Sequence, residues 1–113
     1  VSPEKYLNRV ELLQGTLDLL IMESLRRSPA HGYAITHLIR ARSADALQVA
    51  TGSLYPALHR LERQGLLDSE WGITDQKQRA KFYRLTADGI RQLDRDRSKW
   101  KAMVEAITGI LGP

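Results

Sequence analysis

Between Gly52 and Gln64 the chain carries Ser53, Tyr55, Pro56, His59, Arg60 and Arg63, interleaved with Leu54, Leu58 and Leu61. The leucines recur at spacings of four and three, which gathers them on one face of an α-helix and turns the polar set outward. Hydroxyl, imidazole and guanidinium groups along an exposed helix can reach base edges in the DNA major groove, about 12 Å wide, or the phosphates beside it. Ser53 stands near the helix start, where free backbone N–H groups and the helix dipole already favour an anion. Further along, Lys77, Arg79, Lys81 and Arg84 are set against one acid, Asp75, with Gln76 and Gln78 among them. That composition suits a segment that follows phosphates. The alternative for both clusters is a solvated surface, in which Arg60 and Arg63 simply pair with Glu62 or neighbouring acids.

The elements that must position these groups are marked by single glycines and prolines. A first helix is predicted from about Glu11 to Arg27, with Leu13, Leu17, Leu20, Ile21 and Leu25 on a broad apolar face that Tyr6 and Val10 extend, stopping at Ser28-Pro29. Gly15 inside it suggests close packing against another backbone. A second helix runs from about His31 to Arg42 and buries Tyr33 or Ala34, Ile35, Leu38 and Ile39. The third runs from about Gly52 to Gln64, closed by Gly65, with Pro56 tolerated as part of its first turn. Leu66 to Trp71 and Ala80 to Leu85 read as two strands joined by the polar turn Gly72 to Arg79.

From a Thr86 cap, a last helix reaches about Leu111, and Ile90, Leu93, Arg97, Trp100, Val104, Ile107 and Leu111 step along it by threes and fours. That stripe resembles a short coiled-coil seam with one polar interruption at Arg97. The order of elements is that of a winged helix-turn-helix followed by a dimerisation helix: mainly α with a small β-hairpin. Residues 1–85 form the DNA-binding domain with an N-terminal helical extension, and residues 86–113 the dimerisation helix. Tyr6, Val10, Leu13, Ile90, Leu93, Trp100, Val104, Ile107 and Leu111 are the expected dimer contacts.

At 113 residues there is room for one core and little for a catalytic cleft. The absence of cysteine excludes disulfides, thiolate zinc sites and a cysteine nucleophile, and fits a reducing cytoplasm. His31, His37 and His59 are dispersed, with His31 and His37 on different helix faces, so no metal site is expected. No Ser/His/Asp spacing, Gly-rich phosphate loop or carboxylate pair points to an enzyme or a cofactor. The longest apolar run, Leu19 to Met22, is far short of a membrane span, and the polar N-terminus has no signal-peptide character. A net charge of +4 mildly favours polyanionic partners. Trp71 is expected in the core; Trp100 either packs at the dimer interface or stacks on a flat aromatic effector between protomers.

From Leu13 to Leu111 the sequence resembles the PadR family of bacterial transcriptional regulators, in its short form with one C-terminal helix. The resemblance rests on Gly15-Thr16-Leu17-Asp18-Leu19-Leu20-Ile21, His31-Gly32-Tyr33, the run Gly52-Ser53-Leu54-Tyr55-Pro56-Ala57-Leu58-His59-Arg60-Leu61-Glu62, Glu70-Trp71-Gly72, Arg79-Ala80-Lys81-Phe82-Tyr83-Arg84-Leu85-Thr86, and Gly89. It implies a homodimer joined by the first and last helices, usually a repressor, bound to double-stranded DNA at a palindromic operator. Some relatives release DNA on binding a phenolic acid or flat aromatic drug, and a tryptophan placed like Trp100 lines that pocket in drug-sensing members. One departure is Ala50, where many relatives have a capping Ser or Asn; Thr51 is left as the alternative cap, and an uncapped start would cost about 1 kcal/mol. Two competing readings are a winged helix that docks a protein, and a ligand carrier built on the dimer pore.

Overall fold

A computed structural model describes residues 14–112. The expected Tyr6, Val10 and Leu13 contacts lie outside the described residues. The elements are α1 (Gln14–Ser24), β1 (Ala30–His31), α2 (Gly32–Arg42), α3 (Thr51–Arg63), β2 (Leu67–Ile73), β3 (Arg79–Leu85) and α4 (Ala87–Leu111). They form the winged-helix arrangement, helices around one core with a three-stranded antiparallel sheet ordered β1-β3-β2.

The core is built from one face of each helix: Leu17, Ile21 and Met22 of α1, Ile35 and Ile39 of α2, Leu54, Ala57, Leu58 and Leu61 of α3, and Leu93 of α4, closed by Leu25, Leu67 and Tyr83. Leu93 is fully buried in its own protomer, so it supports the fold and is removed from the set of expected dimer contacts. Tyr33, a candidate core residue of α2, is instead 74% exposed. Among the described residues, nothing lies within 4 Å of the place a Cβ on Gly15 would take, so the close approach expected there is not found.

Local chemistry sets the helix ends. His31 caps α2 through its ring, Nδ1 accepting from the Ala34 N–H at 3.3 Å. The sequence had placed His31 inside the helix, on a different face from His37; as the cap residue its ring stacks with Tyr33, as does that of His37. α3 starts without a side-chain cap: Ala50 is the N-cap and Thr51 is already the first helical residue. Pro56 is therefore the sixth residue, in the second turn rather than the first, and it withholds the N–H that would pair with the Gly52 carbonyl. Gly52 itself is an exposed residue.

At its other end α3 closes with Gly65 in the left-handed region (φ 76°), the Gly65 N–H bonding Glu62 O and the Leu66 N–H bonding Leu61 O, both at 3.0 Å. The chain then enters β2. Thr86 joins this corner to α4: its hydroxyl donates to Gly65 O at 2.7 Å and accepts from the Gly89 N–H at 3.0 Å. The strand Ala30–His31, which pairs with Tyr83 and Phe82, was not anticipated, because two residues carry no readable alternation.

Candidate nucleic-acid interface

α3 and the β2–β3 hairpin stand side by side with a cleft of about 750 Å³ between them. Tyr55 and His59 of α3 line it on one side, and Gln76, Gln78, Arg79 and Lys81 of the hairpin on the other. Six residues singled out in the sequence therefore converge. Ser53, Pro56 and Arg63 are exposed on α3, and Lys77 at the hairpin tip, outside the cleft lining. Tyr55 is held by contact with the start of α2: a Cβ on Gly32 would lie 2.7 Å from its hydroxyl.

The tip is a compact turn. Thr74 N–H donates to Gln78 O and Lys77 N–H to Thr74 O, both at 2.8 Å, while the Thr74 hydroxyl accepts from Gln78 N–H at 3.1 Å. Lys77 adopts φ 61° to close it, and among the described residues no acid stands within ion-pair distance of its ammonium. The other hairpin cations are engaged. Lys81 Nζ lies 3.6 Å from Glu62 Oε1, whose carboxylate also accepts from the Ser69 hydroxyl at 2.5 Å. Arg84 Nη2 is 3.8 Å from Asp68, and strand alternation puts Arg84 on the hairpin face opposite Arg79 and Lys81. Burial raises the Tyr83 phenol above its ordinary value, with the Glu62 charge adding to it, so the hydroxyl at the cleft floor stays protonated.

Two placements overturn the sequence reading. Arg60 does not join the outer face: its guanidinium bonds the Asp18 carboxylate of α1, and both side chains are largely shielded. Position 60 sits one residue before Leu61, on the border of the buried stripe, and a long side chain there reaches the neighbouring helix. Trp71 is not in the core; it is 60% exposed, with the Arg79 guanidinium 4.5 Å above its ring. The register pairs Trp71 with Lys81 and Ile73 with Arg79, so all four share the hairpin face that looks into the cleft. Had that register been known, the alternation would have revealed Trp71 as a cleft residue.

A second surface is apolar. Ile90, Trp100, Met103, Val104, Ile107, Ile110 and Leu111 are exposed along α4. Arg97, the polar break in the stripe, folds back onto Glu23 of α1 at 2.8 Å. Beside it, Leu19, Leu20, Glu23, Trp100 and Lys101 line a shallow open depression of about 430 Å³.

Comparison with known proteins decides what this arrangement is. The model of the "Transcriptional regulator PadR-like family" matches residues 21–95, which span α2, α3, the hairpin and the start of α4. The chain belongs to the PadR-like family. A transcriptional regulator of Mycobacterium tuberculosis is 34% identical over 102 residues, 90% of this chain and 89% of that protein. The structure of a PadR family regulator from Eggerthella lenta is 35% identical, with TM-score 0.71, covering 87% of this chain and 83% of the other. That of a transcriptional regulator from Clostridium thermocellum is 27% identical, with TM-score 0.79, covering 88% and 96%. The protein is thus a DNA-binding transcriptional regulator and not an enzyme. Among the described residues, no helix is long and apolar enough to cross a membrane.

Proposed function

We propose that this PadR-like protein is a homodimeric repressor that acts in the cytoplasm on a pseudo-palindromic operator. Residues 1–85 serve as the DNA-binding unit, and residues 86–113, which contain α4, as the dimerisation helix. The observation that carries the reading is the pairing of two surfaces on one small chain. One is a polar and cationic face made by α3 and the hairpin; the other is an apolar stripe on α4 that a lone protomer leaves in water. In the dimer, the two α3 helices enter successive major grooves about 34 to 36 Å apart. Ser53, Tyr55, Pro56, His59 and Arg63 face the groove, while Gln76, Lys77, Gln78, Arg79 and Lys81 follow the flanking backbone. Ile90, Trp100, Val104, Ile107 and Leu111 meet the partner. The depression beside Trp100 suits a flat aromatic effector completed by the second protomer.

The test is a fluorescence anisotropy titration at about 150 mM salt, where non-specific binding lies near 10⁻⁴ to 10⁻⁶ M. The probe is a duplex that the protein itself enriches from a random library, with a scrambled duplex as control. Two protomers per duplex, bound about a thousandfold or more tighter than to the control, support the reading. Failure to enrich any sequence, or equal binding to both duplexes, would sink it.

A further inference from the structure

Two arginines sit in the last turn of α3, and they are in different situations. Arg63 is exposed, whereas the Arg60 side chain is 24% exposed and meets an Asp18 carboxylate that is 17% exposed. The Arg60 Nε is buried without a partner, so the guanidinium forgoes one hydrogen bond while its far end holds Asp18. Asp18 lies midway along α1, and α1 is tied to α4 by the ion pair of Glu23 with Arg97 at 2.8 Å, beside which Arg26, in the turn just after α1, meets Asp94 of α4 at 2.9 Å. α1 thus carries charged ties to the recognition helix and to the dimerisation helix.

We propose that Arg60 is a positioning residue rather than a DNA contact: with Asp18 it forms a strut that fixes the angle of α3 on α1, and through α1 the spacing of the two recognition helices. This rests on the dimeric DNA-binding reading above. Three considerations support it. The Arg60 charge is neutralised at close range, which removes it from the field that phosphates feel. A guanidinium and a carboxylate in contact hold a narrow range of mutual orientations, unlike the leucine packing around them. The pair is also a poor source of net stability: burial raises the Asp18 carboxyl above its ordinary value despite the opposing pull of Arg60, and Asp96 of α4 raises it further. A shielded pair that adds little stability is suited to fixing geometry.

The experiment compares wild type, Asp18→Asn, Arg60→Met and the double variant on the library-selected duplex, on the same duplex with its half-sites moved by one base pair, and on scrambled DNA. The strut predicts that each single variant loses about tenfold in affinity for the selected duplex, and that the double variant loses no more than either single. It further predicts an unchanged salt slope on scrambled DNA and weaker discrimination against the shifted half-sites. If Asp18→Asn binds as wild type or tighter while Arg60→Met alone loses affinity, or if the Arg60→Met salt slope flattens, Arg60 touches DNA and the strut is wrong. Should Arg60→Met fail to fold, Arg60→Lys keeps the charge and loses the planar fork. It binds as wild type if Arg60 serves phosphate and loses half-site discrimination if it serves the strut. A wild type that shows no sequence preference would instead bring down the DNA-binding reading.

Discussion

The hairpin tip offers a quantitative test, because its cations differ in how free they are. Lys77 is exposed, held outward by a left-handed backbone, and among the described residues has no acid beside it. Arg84 already faces Asp68 at 3.8 Å on the other side of the hairpin. Each phosphate contact on duplex DNA contributes about 0.9 to the slope of log affinity against log salt. Replacing Lys77 by Ala removes one such contact per wing, so a dimer with both wings engaged should lose about 1.8 from the slope. Raising salt fourfold, from about 50 to about 200 mM, is about 0.6 log unit, so wild type should weaken about twelvefold more than the variant over that range. Because phosphates carry no sequence, the change should appear equally on selected and scrambled duplexes. Arg84→Ala is the internal control and should leave the slope within error of wild type. Anisotropy titrations at four salt concentrations measure this directly. An unchanged slope for Lys77→Ala, or an equal flattening for Arg84→Ala, would refute the assignment of the wing tip to the backbone.

Other parts of the molecule give further expectations. Gly89→Ala would set a Cβ 2.1 Å from the Leu66 carbonyl oxygen, a backbone atom that cannot swing away. The overpacking should cost about 3 kcal/mol and lower Tm by roughly 10 to 20 °C, and a melt within about 3 °C of wild type would contradict the contact. Trp71→Ala should free Arg79 and weaken DNA binding about fivefold, in line with about 1 kcal/mol for an exposed cation–π pair; Trp71→Phe should recover most of it, and equal losses for the two variants would refute the cation–π account and leave the indole with a role of its own. Ile107→Glu should give a monomer by sedimentation and cost about a hundredfold in operator affinity as the two half-sites become unlinked; a dimer that persists would move the interface off the α4 stripe. Asp18 has a folded-state carboxyl raised above its ordinary value of 3.8, so its folded form takes up a proton first. The stability this group contributes is present at low pH and lost as pH rises through the raised value. Asp18→Asn should therefore melt at or slightly above wild type at neutral pH, with the difference closing on acidification towards 3.8; a large loss at neutral pH would mean that the ion pair is a net stabiliser.

The elements that periodicity governs were legible in the sequence. Leu54, Leu58 and Leu61 line one side of α3 and are all buried, and the Thr86 cap does what a threonine before a helix is expected to do. What escaped prediction depends on neighbours distant in sequence. Arg60 lies next to the buried stripe, and its direction is decided by Asp18, 42 residues earlier. Trp71 is large and apolar, which favours a core, but only the pairing of Trp71 with Lys81 shows that its strand face is the open one. Leu93 fits the seam by spacing, yet the helix is still lying on its own protomer at that point. The second-turn position of Pro56 follows from a helix that begins at Thr51 without a cap, and a chain lacking a capping side chain gives no local mark of where it starts.

The two halves of α4 stand in different environments, and this bears on how a dimer could control DNA. From Ala87 to Leu93 the helix is clamped to its protomer by the Thr86 corner, the Gly89 contact and the buried Leu93. From Arg97 onward its residues are exposed, among them Trp100, Val104, Ile107 and Leu111, and in proteins helices draw most of their stability from packing an apolar face. In the proposed dimer the second protomer packs the outer half, whereas the inner half, Ile90 apart, is already packed on its own protomer. A dimer formed on the outer half must hold its two DNA-reading faces through the inner halves and through α1, to which Arg97 is tied at Glu23, with Asp94 tied to Arg26 in the turn that follows it. A ligand beside Trp100 would act at the junction of the two halves. It need not approach α3 to change the distance between the two copies of it; a small rotation of α4 against α1 would suffice.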